Sequence, residues 1–183
     1  MKRRHARVVA VCIGLGAVSA AAHASLSAPS DARIGFQATG PAGMKIEGTT
    51  TELTVVESEA NVTLEVPLGG LKTGIDLRDQ HMREKYLEVP RFPSASLVVA
   101  RSALALPQSG AQTEADAPGT LKLHGQVRPV TVHYQTKADG GGLAVHGSFR
   151  IKMTDFGINV PSYLGVTVKP DVDVNASFHV HGG

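Results

Sequence analysis

The chain has no tryptophan, and aromatic residues fill only 4% of its 183 positions. Cysteine occurs once, as Cys12, so the sequence beyond it offers no disulfide, thiolate metal ligand or cysteine nucleophile. Beyond residue 24 no apolar run approaches membrane-spanning length, which removes stable insertion in a membrane once that segment is cleaved. The first 24 residues hold Lys2, Arg3, Arg4 and Arg7 but no acid. Of 18 basic and 16 acidic residues overall, the remainder therefore keeps 14 and 16, and the net +2 becomes mildly negative. That balance excludes the simple electrostatic case for nucleic acid.

What is present begins with an address. Met1 to Arg7 are basic, Val8 to Ala22 are apolar and rich in small residues, and Ala22-His23-Ala24 supplies the small-x-small pattern of a cleavage site. Residues 1–24 are expected to be a secretory signal peptide cut before Ser25, leaving 25–183 as one domain in the periplasm. Cys12 sits inside the apolar stretch after Val11, which does not suit lipidation.

Period-two alternation recurs after Asp31. Ile34, Phe36 and Ala38 share a face. Met44 and Ile46 begin a second stretch whose parity shifts to Leu53 and Val55 after Thr49-Thr50-Thr51, as a bulge or bend would produce. Val62, Leu64 and Val66 follow, and a turn at Ser58-Glu59 sets Val55 opposite Val62. A fourth strand is expected over Ser96 to Leu106, then a loop from Pro107 to Pro118, then Leu121 and Leu123, then Val130, Val132 and Tyr134. An Asp139-Gly140 turn opposes Tyr134 to Val145 and His133 to His146. The last alternation runs from Val166 to Val180. Eight strands, each with one apolar face, suit an all-β antiparallel barrel, which hides one face and removes its edges. A two-sheet sandwich has the same pattern. Residues 76–88 break the alternation and read as one short helix, with Asp76 as N-cap, Asp79 in the first turn, and Leu77, Met82, Tyr86 and Val89 as its buried stripe.

The run Leu71-Lys72-Thr73-Gly74-Ile75-Asp76-Leu77-Arg78-Asp79-Gln80-His81-Met82, followed by Tyr86-Leu87-Glu88-Val89-Pro90-Arg91-Phe92-Pro93, resembles the signature of the YceI-like family. Gly119 to Val130 looks like its "G-x-L-x-L-x-G" strand and proline-containing turn, and Thr154-Asp155-Phe156-Gly157-Ile158 like its late "D-F-G-I" loop. The chain departs from the family at Ala38–Gly43, where a histidine-bearing segment is usual, and at Tyr86-Leu87, where paired phenylalanines are common. The resemblance implies an eight-stranded lipocalin-like barrel, exported to the periplasm, that carries or sequesters a long apolar lipid: a polyisoprenoid, an isoprenoid quinone or a fatty-acyl derivative. Apart from that bound lipid no cofactor is expected.

The inward positions Phe36, Ile46, Leu64, Val99, Val132, Phe149, Met153, Phe156 and Phe178 are the candidate lining residues, each equally explicable as core packing. Arg78, His81 and Arg83 are the nearest cations for a head group. His179-x-His181 and the facing His133 and His146 lie on the outer, polar face without a third ligand, so no metal site is expected. No Gly-x-Ser-x-Gly elbow, His-Glu-x-x-His or phosphate-cradling loop occurs, and no enzyme activity is expected. The alternative is a solid-cored barrel acting as a protein-interaction module in envelope stress; a third reading is a metal- or quinone-dependent redox helper. The pattern allows a homodimer through the polar faces without pointing to one.

Overall fold

The computed structural model describes residues 25–27, 29, 31–107, 111–139, 142–163 and 166–181. The expected signal segment, with Cys12, and Gly140 of the expected turn lie outside the described residues.

The strands are β1 (Ser25–Ser27), β2 (Arg33–Thr39), β3 (Lys45–Thr50), β4 (Thr54–Glu57), β5 (Asn61–Pro67), β6 (Ser94–Ala100), β7 (Gln112–Leu123), β8 (Gln126–Asp139), β9 (Gly142–Lys152), β10 (Ser162–Tyr163), β11 (Val166–Thr167) and β12 (Asp171–His181). Ten of them form one antiparallel sheet in the order β1-β4-β5-β6-β7-β8-β9-β12-β2-β3, and β10 pairs with β11. The sheet curls so that its alternating apolar residues meet inside. The edge strands are β1, which pairs with β4, and β3, which pairs with β2, and residues 51–53 carry the backbone from β3 to β4 next to the opposite edge. The parity shift after the threonine run is this bend. It divides one of the eight expected strands in two, and short β1 completes the ten.

Two hairpins have the expected faces but a different register. In β4–β5, Val55 opposes Leu64 rather than Val62. The turn centres on Glu59-Ala60, because the Asn61 N–H donates to Ser58 Oγ at 3.0 Å and the Ser58 N–H donates to the Asn61 carbonyl at 2.9 Å, a serine-led turn. In β8–β9, Tyr134 opposes Gly147 and Asp139 opposes Gly142. His133 therefore faces Ser148, not His146. Both shifts are by two residues, so inward side chains stay inward.

Three other expectations change. The segment 112–118 is strand, not loop: Ala115 and Ala117 turn inward while Glu114 and Asp116 face water, and pairing with β8 overrides the weak local preference. The fourth strand ends at Ala100, where a tight turn over Arg101–Ala103 begins. Pro129 lies within β8, opposite Thr120. Pairing of β8 with β9 starts only at His133, so Pro129's missing N–H costs no bond on that side. The hairpin turn is instead His124-Gly125, with φ of 50° and 74°, the left-handed pair of a type I′ turn.

The helix α1 (Asp76–His81) continues as a wider π turn through Met82–Tyr86. Ile75, not Asp76, occupies the N-cap position, and no side chain caps it. Asp79 reaches back instead. Its buried carboxylate accepts the Thr73 N–H at 2.7 Å and the Thr73 hydroxyl, while Arg78 donates from Nε to that hydroxyl (2.7 Å) and from its terminal nitrogen to the Thr73 carbonyl (2.8 Å). Thr49 and Lys72 exchange two backbone bonds of 2.9 Å, fixing the approach to α1 against β3. Leu77 is 62% exposed and does not join the buried stripe, whereas Met82, Tyr86 and Val89 do pack on the core.

Candidate functional site

The barrel interior holds two cavities. One, of about 890 Å³, lies beneath α1 and is the helix-end cavity; the other, of about 720 Å³, lies toward the β4–β5 and β8–β9 turns and is the hairpin-end cavity. Both fall within the roughly 300–1,000 Å³ of ligand pockets. They share wall residues Leu64, Leu97, Phe149 and Ala176, which places them side by side along the interior.

Of these four shared residues Ala176 alone is small. Ala176 in β12 is paired directly with Gly147 in β9. A Cβ placed on Gly147 would meet only Val132 Cγ1, at 3.8 Å, so the missing side chain is replaced by space rather than by a neighbour. Ala38, Ala95, Ala117 and Ala138 line the same interior. A series of larger aliphatics at these positions would fill it.

Of the nine candidate lining residues, Phe36, Ile46 and Met153 line the helix-end cavity; Val99, Val132 and Phe178 line the hairpin-end cavity; Leu64 and Phe149 line both. Phe156 lines neither. It is 2% exposed and packed in the core, because its position in the short turn Met153–Phe156 directs it beneath the helix end rather than into the lumen. Lining residues absent from those nine include the cross-strand pair Gly147 and Ala176. Their signal is their smallness within an inward series, which becomes readable only once β9 and β12 are in register.

Charge is confined to the rims. Arg78 and His81 line the helix-end mouth, joined by Lys85, which the sequence did not single out. Arg83 does not line the cavity; its charge instead helps hold the Asp79 carboxyl below its ordinary range, after the larger effect of the Thr73 hydroxyl bond. At the other end Arg101 pairs with Glu57 at 3.0 Å. Within the hairpin-end cavity, the Tyr134 hydroxyl accepts the Ala105 N–H at 2.7 Å, and buried Thr136 has no hydrogen-bond partner for its hydroxyl among the described residues. The lumen thus offers an apolar molecule a largely aliphatic wall with few hydrogen-bonding groups.

His133 and His179 lie on the outer face. His133 lies between Asp116 (2.9 Å) and Glu114 (3.1 Å), and the Asp116 bond raises its pKa. His179 bonds Asp31, lowering the Asp31 pKa; the His181 side chain lies outside the described residues. Among the described residues no three of His, Cys, Asp and Glu are grouped to hold a metal.

The three sequence motifs meet at the helix end. Phe92, just after α1 and its π turn, packs against His124 at a tilt of 55° with ring centroids 4.5 Å apart, and a Cβ on Gly125 would come within 2.7 Å of Phe92. His124 Nδ1 lies 3.1 Å from the Phe156 carbonyl, and Arg128 Nε donates to the Asp155 carbonyl at 3.1 Å. Glycine at 125 is required twice over, by its positive φ and by this close approach.

Residues 25–180 match the family described as "YceI-like domain". A UPF0312 protein of Pseudomonas savastanoi pv. phaseolicola is 28% identical over 120 residues, covering 62% of this chain and 60% of that protein. Another from Pseudomonas putida is 31% identical over 104 residues, or 53% and 52% of the two chains. The chain thus spans about 60% or less of the length of these curated relatives. Among solved structures, a polyisoprenoid binding domain from Saccharophagus degradans, implicated in plant cell wall breakdown, superposes with a TM-score of 0.74 at 19% identity, over 88% of this chain and all of that one. BcnA of Burkholderia cenocepacia gives 0.66 at 14% identity, over 81% and 96%.

Proposed function

Since the chain belongs to the YceI-like family, we propose that it is a periplasmic carrier that sequesters one long apolar lipid inside its barrel. The observation that carries this reading is the pair of neighbouring cavities that share Leu64, Leu97, Phe149 and Ala176, with walls of valine, leucine, isoleucine and phenylalanine. The ligand class is a polyisoprenoid, an isoprenoid quinone or a fatty-acyl derivative, because a slender chain fits a narrow lumen in which few polar groups compete for it. Binding is driven by desolvation, at about 25 cal/mol per Å² of apolar surface or about 0.8 kcal/mol per buried methylene. Export is supported by the basic, apolar and small-x-small order of residues 1–24. The helix region 76–86 frames one mouth. The chemistry is binding, without a reaction.

Organic extraction of the purified, untagged protein followed by mass spectrometry tests this. The expected result is an equimolar prenyl or acyl species. A clean extract, together with no uptake of added lipid, overturns the reading and favours the protein-interaction alternative.

A further inference from the structure

Five large apolar side chains stand exposed among the described residues, and three of them, Met44 (55%), Ile75 (54%) and Leu77 (62%), line the mouth of the same helix-end cavity. They come from two separate segments. Met44 closes the β2–β3 connection, where the Gly40 N–H donates to the Met44 carbonyl at 2.6 Å and the Met44 N–H donates to the Pro41 carbonyl at 3.1 Å. Ile75 and Leu77 bracket the start of α1, which Arg78 and Asp79 clamp to Thr73. Both segments are thus tied by hydrogen bonds at the backbone that carries these exposed side chains. Clustered exposure of this kind marks an interaction surface, whereas single exposed residues such as Val127 need no account.

The charges of this rim identify the partner. Arg78, His81 and Lys85 line the mouth, and among the described residues no carboxylate does. The nearest exposed acids on the helix are Asp76 and Glu84, and Glu84 accepts from Gln80 at 3.2 and 3.3 Å. Apolar side chains ringed by cations suit the interface of a phospholipid bilayer, where the apolar groups enter the acyl boundary and the cations meet phosphates.

We infer that the helix-end mouth is a membrane-docking surface: Met44, Ile75 and Leu77 insert into the outer layer of a phospholipid bilayer while Lys85 and its neighbours contact lipid phosphates. Docked there, the opening of the lumen meets the acyl region, and a lipid passes between bilayer and barrel without crossing water. This rests on the lumen-binding reading for its purpose but not for its geometry.

The test is flotation of the full chain with vesicles of phosphatidylcholine alone and of phosphatidylcholine mixed with phosphatidylglycerol, for wild type and for the Ile75→Ser/Leu77→Ser double variant. Both replaced residues are exposed, so the variant is expected to melt as the wild type does. Wild type is expected to float, more strongly with phosphatidylglycerol. The double variant is expected to partition at least about tenfold less, since even one buried leucine-sized contact carries that factor. Lys85→Gln is expected to lose about fivefold on the anionic vesicles only. Wild type that stays with the soluble fraction in both cases, or a folded double variant that floats equally well, overturns the inference. A wild type that is dimeric by light scattering, does not float, and becomes monomeric on the double substitution also overturns it, and makes the patch a contact between copies. Extraction of the same samples keeps the two readings apart: lipid in the lumen without flotation defeats docking alone, whereas flotation of a lipid-free protein that takes none up defeats lumen binding alone.

Discussion

At the helix end of the barrel, three segments remote in sequence are locked together, whereas the hairpin end is made of adjacent strands joined by short turns. Thr73 is held by both Arg78 and Asp79, Phe92 packs on the His124-Gly125 turn, and His124 and Arg128 reach the Phe156 and Asp155 carbonyls. The hairpin end has the Ser58–Asn61 turn, the Arg101–Glu57 pair and the bond from the Ala105 N–H to Tyr134. Yet it is the helix end that carries the exposed apolar mouth. The same hydrogen-bonded segments that hold this end together carry the exposed Met44, Ile75 and Leu77.

Breaking this contrast at its strongest point gives the largest expected effect. Phe156→Ala removes a fully buried ring under the helix end and is expected to cost about 3–5 kcal/mol in urea unfolding. Leu106→Ser, exposed beside the hairpin-end cavity, is expected to stay within about 0.5 kcal/mol. Equal effects at the two sites would erase the distinction. A pH series sharpens it further. The Thr73 hydroxyl bond, above all, holds the Asp79 pKa below its ordinary value. The stability it contributes is complete above the unfolded value of about 3.9 and is lost as the pH falls through the lower folded value. Asp79→Asn is therefore expected to flatten the fall in stability below about pH 4, leaving only the share due to Asp31 and Asp173, whose pKa values are also lowered. The smallest effect belongs to the outer wall. His133, raised chiefly by its bond to Asp116, contributes stability that is complete below about pH 6.5 and is lost as the pH rises through its higher folded value. Its proton NMR titration is expected to have a midpoint above about 6.5 that moves down with added salt.

The same contrast governs what was legible in the sequence. Inward and outward faces were readable almost everywhere, because parity survives a register error of two: Val55 meets Leu64 rather than Val62, but both still point into the lumen. The bend at Thr49-Thr50-Thr51 was readable as a change of parity. Strand 112–118 was not, since Ala115 and Ala117 give little apolar signal until β8 lies alongside. The helix end was least legible. Leu77 looks like a buried stripe residue and is exposed, Asp76 looks like a cap and is not, and the Asp79–Thr73 bond spans six residues that no local rule connects. Eight of the nine proposed lining residues do face a cavity, but whether an interior is filled depends on small residues such as Gly147 and Ala176 meeting across strands. That is a property of register rather than of composition.

The central claim is the proposal that one long hydrocarbon occupies both cavities, and Ala176→Trp tests it most directly because Ala176 lines both and faces inward. Native mass spectrometry with a long polyprenol is the measurement. The account predicts an equimolar complex for wild type and at least about a tenfold loss for the folded variant, the methylenes of the displaced chain being worth about 0.8 kcal/mol each. A folded Ala176→Trp protein that binds the polyprenol as tightly as wild type would contradict it.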